Sequence, residues 1–390
     1  MKNLSNNFNI IVKTVEGLET VLADELVYLG ANKIEIIKRA VRFDGNMKLL
    51  YSSNLHLRTA LRVLLPIHRF QVRDAEDLYQ KVIAYDWHKI IRNDQTFAID
   101  SSINSSPFNH GNFVALKTKD AIVDRIRMET GARPSVDRVN PDIVINVHIF
   151  KNDCNISLDS SGHSLHKRGY RQAQTDAPLN EVLAAGLLKI ANWKGETDFY
   201  DPMCGSGTFT SEAFGIACGE APGKSAKFSF MNWENYDNEL WNSLVRQSIE
   251  KEKQVDVDFY TSDIEGKAVA VTKLNMRNPR MRSKVKISNA DFFDLYPKGD
   301  PGLIILNPPY GERIQENKIG ELYKKIGNKL KFDFPRFEAW ILLPKGIAEK
   351  SIGLKPDKKT NILNGAIKCN FNKFSLFQGK RKDVLADSDS

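Results

Sequence analysis

The apolar run Leu303-Ile304-Ile305-Leu306 ends abruptly at Asn307-Pro308-Pro309-Tyr310, and that junction restricts the fold more than any other stretch. Four consecutive apolar residues read as a strand buried on both faces, the kind found inside parallel sheets. Two successive prolines cannot continue it, because neither has an N–H to donate and each fixes φ near −65°. The chain must leave the sheet at the strand's carboxyl end, where open α/β sheets bind their ligands. A rigid turn there leaves the Asn307 amide oxygen and the Pro308 carbonyl as acceptors beside the Tyr310 ring. Two acceptors and an aromatic face suit a flat base with an exocyclic amine. A proline-terminated strand with a core tyrosine would carry the same residues.

A second junction lies about a hundred residues upstream, at Asp201-Pro202-Met203-Cys204-Gly205-Ser206-Gly207-Thr208. It follows the strand-like Thr197-Asp198-Phe199-Tyr200 and precedes Phe209 to Phe214, which can begin a helix. Strand, glycine turn and helix form the nucleotide-binding unit of a doubly wound sheet. Gly205 and Gly207 let the backbone approach a ligand without a Cβ clash. The third glycine of a dinucleotide fingerprint is replaced by Thr210, and Asp201 stands at the mouth of the loop. A phosphate would be repelled there, whereas a cationic sulfonium or ammonium would be attracted. There is no G-x-x-x-x-G-K-[ST] loop.

Taken together, Asp201 to Thr208 and Asn307-Pro-Pro-Tyr-Gly-Glu-Arg313 resemble the S-adenosylmethionine-dependent N-methyltransferases that modify exocyclic amines. More narrowly, the chain resembles the bacterial 23S ribosomal RNA guanine-N2 methyltransferases that carry an N-terminal THUMP domain. Further matches are Lys117-Thr-Lys-Asp-Ala-Ile-Val-Asp124, Arg133-Pro-Ser-Val-Asp137, Ser164 to Arg171 and Ala177 to Glu181. The resemblance covers nearly the whole chain. It implies a Rossmann-like class I methyltransferase domain, a seven-stranded sheet with an antiparallel last strand, preceded by α+β ferredoxin-like and THUMP domains.

Residue patterns agree with that plan. Residues 8–15 alternate as a strand, and Leu18, Val21, Leu22, Glu25, Leu26 and Leu29 have helix spacing ended by Gly30. Ile34–Ile37 and Val41–Phe43 read as a strand pair, Asn46 to Arg62 as a helix, and Val63 onward as a strand. A helix with Leu78 and Val82, a strand at Thr96–Asp100, a helix at Lys117–Glu129 and a strand at Val144–Phe150 follow. Later strands are expected at Val257–Thr261, Val285–Ile287, Leu303–Leu306 and Ala339–Leu343. Asn364-Gly365 is a hairpin signal between Ile362-Leu363 and the alternating Ile367, Cys369 and Phe371. The expected boundaries are 1–70 (ferredoxin-like), 71–163 (THUMP), 164–380 (methyltransferase) and a disordered polar tail at 381–390.

Asp201, Asp263, Asp291 and Asn307 each stand at or just past a strand end, and in a parallel sheet those ends share one edge. Chemistry and resemblance together imply roles for them. Asp263, with Ile264 beside it, accepts the ribose hydroxyls of the methyl donor. Asp291 accepts from the adenine amine, with Phe292 packed on the ring. Asp201, Pro202, Cys204, Gly205, Gly207 and Thr208 hold the methionine portion, with Thr175 and Asn180 near its amino-acid end. Asn307, Pro308, Pro309 and Tyr310 hold the target base. All seven histidines lie between His56 and His166, so the catalytic sheet has no imidazole base of its own.

RNA contacts are expected from Lys117, Lys119, Arg125 and Arg133 of the THUMP portion and from Lys167, Arg168 and Arg171 of the basic segment before the catalytic domain. Such cations give affinity with little sequence selectivity. An ion-paired solvated helix face and a cap on the domain junction are the alternatives. Phe228, Phe230 and Trp233, in the loop-rich 219–235, either stack on RNA or are buried against the sheet.

A formal charge of +8 and a pI near 9.1 fit a polyanionic partner. With 42% hydrophobic and 27% charged residues the chain has the composition of a globular protein. Four widely spaced cysteines without a C-x-x-C pair indicate neither zinc nor a disulfide framework. The start lacks the apolar core of a signal peptide and no run approaches membrane-spanning length, so a cytoplasmic protein is expected. The competing functions are a transfer-RNA guanine-N2 methyltransferase, a DNA adenine-N6 methyltransferase, a nicotinamide dehydrogenase and a non-catalytic ribosome-assembly factor that binds RNA.

Overall fold

The computed structural model describes residues 7–299, 301–309 and 316–377. Tyr310 and the 381–390 tail, both singled out in the sequence, lie outside them. The chain forms two compact units: one from residues up to Thr14, Leu22–Leu165 and Pro222–Gln247, the other from Val15–Val21, His166–Ala221 and the chain from Ser248 on.

The first unit is built on one sheet of eight strands: β1 (Phe8–Lys13), β2 (Asn32–Ile37), β3 (Ala40–Gly45), β4 (Arg62–Gln71), β5 (Thr96–Asn104), β6 (Ser135–Val136), β7 (Ile143–Phe150) and β8 (Asp153–Asp159). Their order is β2-β3-β1-β4-β8-β7-β5-β6. The ferredoxin-like and THUMP portions therefore share a sheet, joined where Leu64 of β4 stands between Ile11 of β1 and Asp159 of β8. The helices are α1 (Glu19–Tyr28), α2 (Met47–His56), α3 (Ala75–Ile83) and α4 (Gly111–Thr130).

Asn46 caps α2 by accepting from Leu49 N at 3.1 Å, but the helix stops at His56 rather than continuing to Arg62. The reason is tertiary. The Glu25 carboxylate captures Arg58 N at 3.1 Å and Thr59 N at 3.0 Å, which turns the chain before β4. The aromatic segment 222–247 belongs to this unit. Phe230 stacks on Tyr51 of α2 at 4.4 Å between ring centroids, and Phe228 and Trp241 close around it. Phe228, Phe230 and Trp233 are buried, Phe228 and Phe230 in the aromatic group around Tyr51 of α2 rather than against the methyltransferase sheet, and are not presented for stacking.

The second unit begins with α5 (Glu181–Ile190), β9 (Phe199–Asp201) and α6 (Thr208–Ala217), and α7 (Asn238–Glu250) enters it from the first. Next come β10 (Phe259–Asp263), α8 (Gly266–Asn275), the short α9 (Pro279–Arg282), β11 (Val285–Asn289), β12 (Leu303–Leu306), α10 (Glu316–Asp333), β13 (Glu338–Pro344), α11 (Ile347–Ser351), β14 (Lys358–Asn364) and β15 (Ile367–Ser375). The strand order is β11-β10-β9-β12-β13-β15-β14. Strands β9 to β13 are parallel, and β15 inserts antiparallel between β13 and β14. The seven-stranded sheet with its antiparallel last strand is present as expected. All four residues of β12 are buried. Tyr323, Ile326 and Leu330 of α10 pack with Ile304, Leu306, Ile341 and Leu343 on one face of the sheet.

From β9 the chain runs outward through β10 and β11, then returns to place β12 on the other side of β9, with Leu303 opposite Phe199 and Ile304 opposite Tyr200. The strand order reverses here, and the turns after β9 and β12 leave the sheet side by side. This is the switch point at which open α/β sheets bind ligands.

Candidate active site

A cavity of about 460 Å³ opens at that switch point. Its walls come from the loop before α5 (Thr175 to Leu179), the turn after β9 (Pro202 to Ser206), the first residues of α6, the end of β10 (Asp263, Ile264, Glu265), Asp291 and Phe292 after β11, and Asn307 and Pro309 after β12. The lining carries four carboxylates, Asp176, Asp263, Glu265 and Asp291, and no lysine, arginine or histidine among the described residues. Such a wall repels phosphate and attracts a cation.

The glycine turn is held rigidly. Gly205 and Gly207 take φ of +55° and +75°, and a Cβ on Gly207 would lie 2.7 Å from Met276 Cε. Gly205 N donates to Asp263 Oδ2 at 2.9 Å, Thr272 Oγ1 donates to Gly205 O at 2.9 Å, and Cys204 N donates to Ser262 O at 3.0 Å. Asn275 binds the turn to the preceding loop: Nδ2 donates to Ser206 O and Ala173 O, both at 3.0 Å, while Oδ1 accepts from Gln172 N and Ala173 N. Arg171 does the same from the other side. It donates to Glu181 Oε1 at 2.7 Å, Ser206 Oγ at 3.1 Å, Thr208 Oγ1 at 3.1 Å and Leu179 O at 3.0 Å.

These contacts revise the expected RNA set. Arg171 is a brace for the cavity wall. Arg168 is buried against Glu212 at 3.1 Å, with side-chain exposures of 5% and 1%, and Tyr170 Oη donates to the same carboxylate. Of Lys167, Arg168 and Arg171 only Lys167 is exposed. Within the THUMP portion, Lys117 pairs with Glu76, Lys119 with Asp120, and Arg125 with Asp86 and Glu129. Arg133 is exposed.

Among the expected donor-site residues, Thr175, Pro202, Cys204, Gly205, Thr208, Asp263, Ile264, Asp291 and Phe292 line the cavity. Asn180 does not; its Oδ1 caps α5 by accepting from Val182 N and Leu183 N. Gly207 lies behind the wall as the cap of α6. Asp201 is fully buried beneath the turn, where Oδ2 accepts from Thr210 Oγ1 at 2.9 Å and Oδ1 has no partner among the described residues. Burial raises its pKa to about 7; the Thr210 hydrogen bonds oppose that rise and the charge on Asp263 adds to it. Burial also pushes the Cys204 thiol well up, which keeps it protonated and inert. Sequence reading missed Arg171 as a brace, Thr272 and Asn275, because a polar residue does not announce partners that lie 37, 67 and 103 positions away in the chain.

Across from the acidic wall, Asn307 Oδ1 is buried and unpartnered among the described residues. Asp263 Oδ1 accepts from Glu265 N at 3.0 Å, and Asp291 Oδ1 accepts from Phe293 N at 3.0 Å. Two turn-fixed carboxylates and the Asn307 side chain thus line a single cavity.

Residues 168–373 match the RMKL-like methyltransferase domain, which is more than half of the chain. The chain belongs to the RMKL-like methyltransferase family. Residues 72–159 match the THUMP domain and 9–64 the RlmL ferredoxin-like domain. The Synechocystis sp. protein named "Putative RNA methyltransferase slr0064" is 38% identical over 93% of this chain and 95% of its own length. The ribosomal RNA large subunit methyltransferase K/L of Shewanella sp. (strain MR-4) is 36% identical over 96% of this chain, and the match covers 54% of that protein. The chain thus spans about half the length of the K/L relatives. The crystal structure of SMU.472 complexed with SAH superposes with a TM-score of 0.87 at 29% identity, covering 97% of this chain and all of that one. The fold class expected from the sequence, a methyltransferase domain behind ferredoxin-like and THUMP modules, is the one found. No helix among the described residues is long and apolar enough to cross a membrane. No group of three or more potential metal ligands occurs among them.

Proposed function

We propose that the chain transfers a methyl group from S-adenosylmethionine to the exocyclic N2 amine of a guanine in 23S ribosomal RNA. The observation that carries this reading is the amide oxygen of Asn307, a residue lining a cavity walled by carboxylates, buried without a partner among the described residues. A buried acceptor left unpaired costs about 1–3 kcal/mol, and an amine N–H from a substrate removes that cost.

The cavity fits the donor on its own chemistry. Its volume lies within the range of small-molecule sites, and its four carboxylates suit a ligand with sulfonium and ammonium charges. Asp263 is the residue for the ribose hydroxyls and Asp291, with Phe292, for the adenine. The backbone of Cys204 to Ser206 and the Thr175 loop take the methionine portion. Asp201, ionised once an ammonium group is near, supplies charge from beneath the turn. When bound, S-adenosylmethionine supplies a methyl group already activated on sulfur, so the protein's task is alignment.

On the acceptor side, Asn307 Oδ1 and the Pro308 carbonyl accept the two N–H groups of the amine. That aims the nitrogen lone pair into the cavity and stabilises positive charge as it develops. Tyr310 provides the stacking face in this reading. The base reaches the corner from an unpaired or flipped position. The THUMP match and the RNA named for the relatives support RNA as the substrate. Arg133 and Lys167 are the exposed cations of the expected set, and the ion-paired Lys117, Lys119 and Arg125 would exchange carboxylates for phosphates.

The test is Asn307→Ala with two readouts. Transfer to ribosomal RNA should fall to background while S-adenosylmethionine binding by calorimetry stays within about threefold; parallel loss of both would refute the acceptor role. Mass spectrometry of RNA from cells lacking the protein should reveal a missing N2-methylguanine in 23S RNA. Its loss from transfer RNA instead would move the substrate.

A further inference from the structure

The carboxyl edge of the second unit's sheet has a further set of charged groups that neither the cavity nor the mechanism uses. Beyond β12 on the same edge, β13 ends at Pro344 opposite Cys369 of β15. The next rung pairs Lys345 with Lys368, and Lys345 N donates to Lys368 O at 3.1 Å. Two lysines opposite each other on neighbouring strands repel, and both are exposed. Gly346, at φ +121°, then turns the chain into α11, whose exposed Lys350 lies one turn from Ile347. Ile347 is 51% exposed and Ile367, at the hairpin tip, 40%. None of these three ammonium groups has an ion-pair partner among the described residues. Glu349, the nearest carboxylate in sequence, is taken by Lys359 at 2.7 Å and by Asn370 Nδ2 at 2.9 Å.

The register fixes where this rim stands. Leu306 pairs with Ile341, so Asn307 is level with Leu342 on the adjacent strand. Lys345 is three residues further, about 10 Å beyond the corner at strand rise. One side of the edge is therefore a carboxylate wall, and the other carries uncompensated cations and exposed aliphatic surface.

We propose that Lys345, Lys350 and Lys368 bind the phosphates of an unpaired RNA segment flanking the target nucleotide, with Ile347 and Ile367 lying under its riboses and bases. Three exposed cations without ion-pair partners among the described residues suit a polyanion. Single-stranded RNA fits because its backbone can follow a short rim while one base enters the neighbouring corner. The inference rests on the RNA reading above and deepens it.

The experiment compares wild type with Lys345→Gln/Lys350→Gln/Lys368→Gln in the full chain, using a fluorescently labelled single-stranded RNA and protein-free 23S RNA. The Kd for the labelled RNA should rise about tenfold or more at low salt, and the slope of log Kd against log salt should flatten by about 2, close to 0.7 per lost phosphate contact. KM for 23S RNA should rise in parallel, while kcat at saturating RNA and S-adenosylmethionine binding stay unchanged. Tm should hold or rise slightly, and the triple arginine variant should recover binding. A merely structural role would lower Tm and leave the salt slope intact. Unchanged Kd and slope would overturn the rim while leaving Asn307 untouched, since wild type still methylates. A defect seen only on ribosomal particles would also overturn it, by pointing to an acidic protein surface. Absence of any transfer by wild type would strike the function itself.

Discussion

Two corners meet at the switch point of the methyltransferase sheet, and they are built in opposite ways. The turn after β9 has its polar groups tied down: Gly205 to Asp263 and Thr272, Ser206 to Asn275 and Arg171, Thr208 to Arg171. The turn after β12 begins with two prolines and keeps the Asn307 amide oxygen without a partner among the described residues. In the proposed function the donor half is finished before any ligand arrives, whereas the acceptor half is completed by the substrate. Pre-organisation lowers the ordering cost of binding the small molecule. An open acceptor reserves stabilisation for the group that reacts.

The largest effect that would break this contrast is at the open corner. Asn307→Ala should cost about 10²–10³-fold in turnover, or about 3–4 kcal/mol, with Tm held or raised because the lost oxygen is an unpaired buried acceptor. A marked fall in Tm would mean that the corner is structural. At the tied corner the expectation reverses. Arg171→Ala strands the buried Glu181 carboxylate and should cost about 3 kcal/mol of stability, lowering Tm by about 6 °C or more in thermal unfolding. Donor affinity should fall with it.

Beneath the same turn, Asp201 offers a pH readout. Its folded pKa of about 7 lies above the unfolded carboxylate range, so the folded state keeps a proton that the unfolded chain releases near pH 4. That contribution is full below pH ~4 and is lost as the pH rises toward 7. Ligand-free protein should lose about 2–3 kcal/mol between pH 5 and 7 from this group. Asp201→Asn should abolish the slope and be the more stable protein at pH 8 in urea titrations. An unchanged slope would show that another group titrates. The smallest effect sharpens the contrast from outside the cavity: Asn180→Ala removes the α5 cap, costing about 1 kcal/mol in urea unfolding with kcat retained. A large loss of donor affinity would return Asn180 to the binding set.

Both corners were legible in the sequence because their chemistry is local. Proline cannot extend β12, and glycine marks the left-handed turn, so those two strand ends could be placed without tertiary information, while the resemblance supplied the other cavity residues such as Thr175 and Phe292. β10 was displaced by two residues, read at 257–261 and found at Phe259–Asp263, since an alternating pattern does not fix its own ends. What the sequence hid was long-range. Glu25 reads as one more helical position, yet its carboxylate ends α2 more than thirty residues away. Arg168 and Arg171 read as a basic stretch, yet their partners Glu212 and Glu181 draw them inward. Phe230 reads as an aromatic in a loop, and only the fold reveals Tyr51 beneath it.

The two units exchange segments along the chain. Val15–Val21 belongs with the methyltransferase sheet, where Leu363 N donates to Glu16 O and Leu18 fills the space above Gly186. Pro222–Gln247 belongs with the N-terminal unit. During synthesis at about 5–20 residues per second, the N-terminal unit must wait for its last aromatics until the chain has been made past Trp241. No single proteolytic cut can release either unit whole, and an expression fragment ending near residue 165 would emerge with Tyr51 uncovered and prone to self-association.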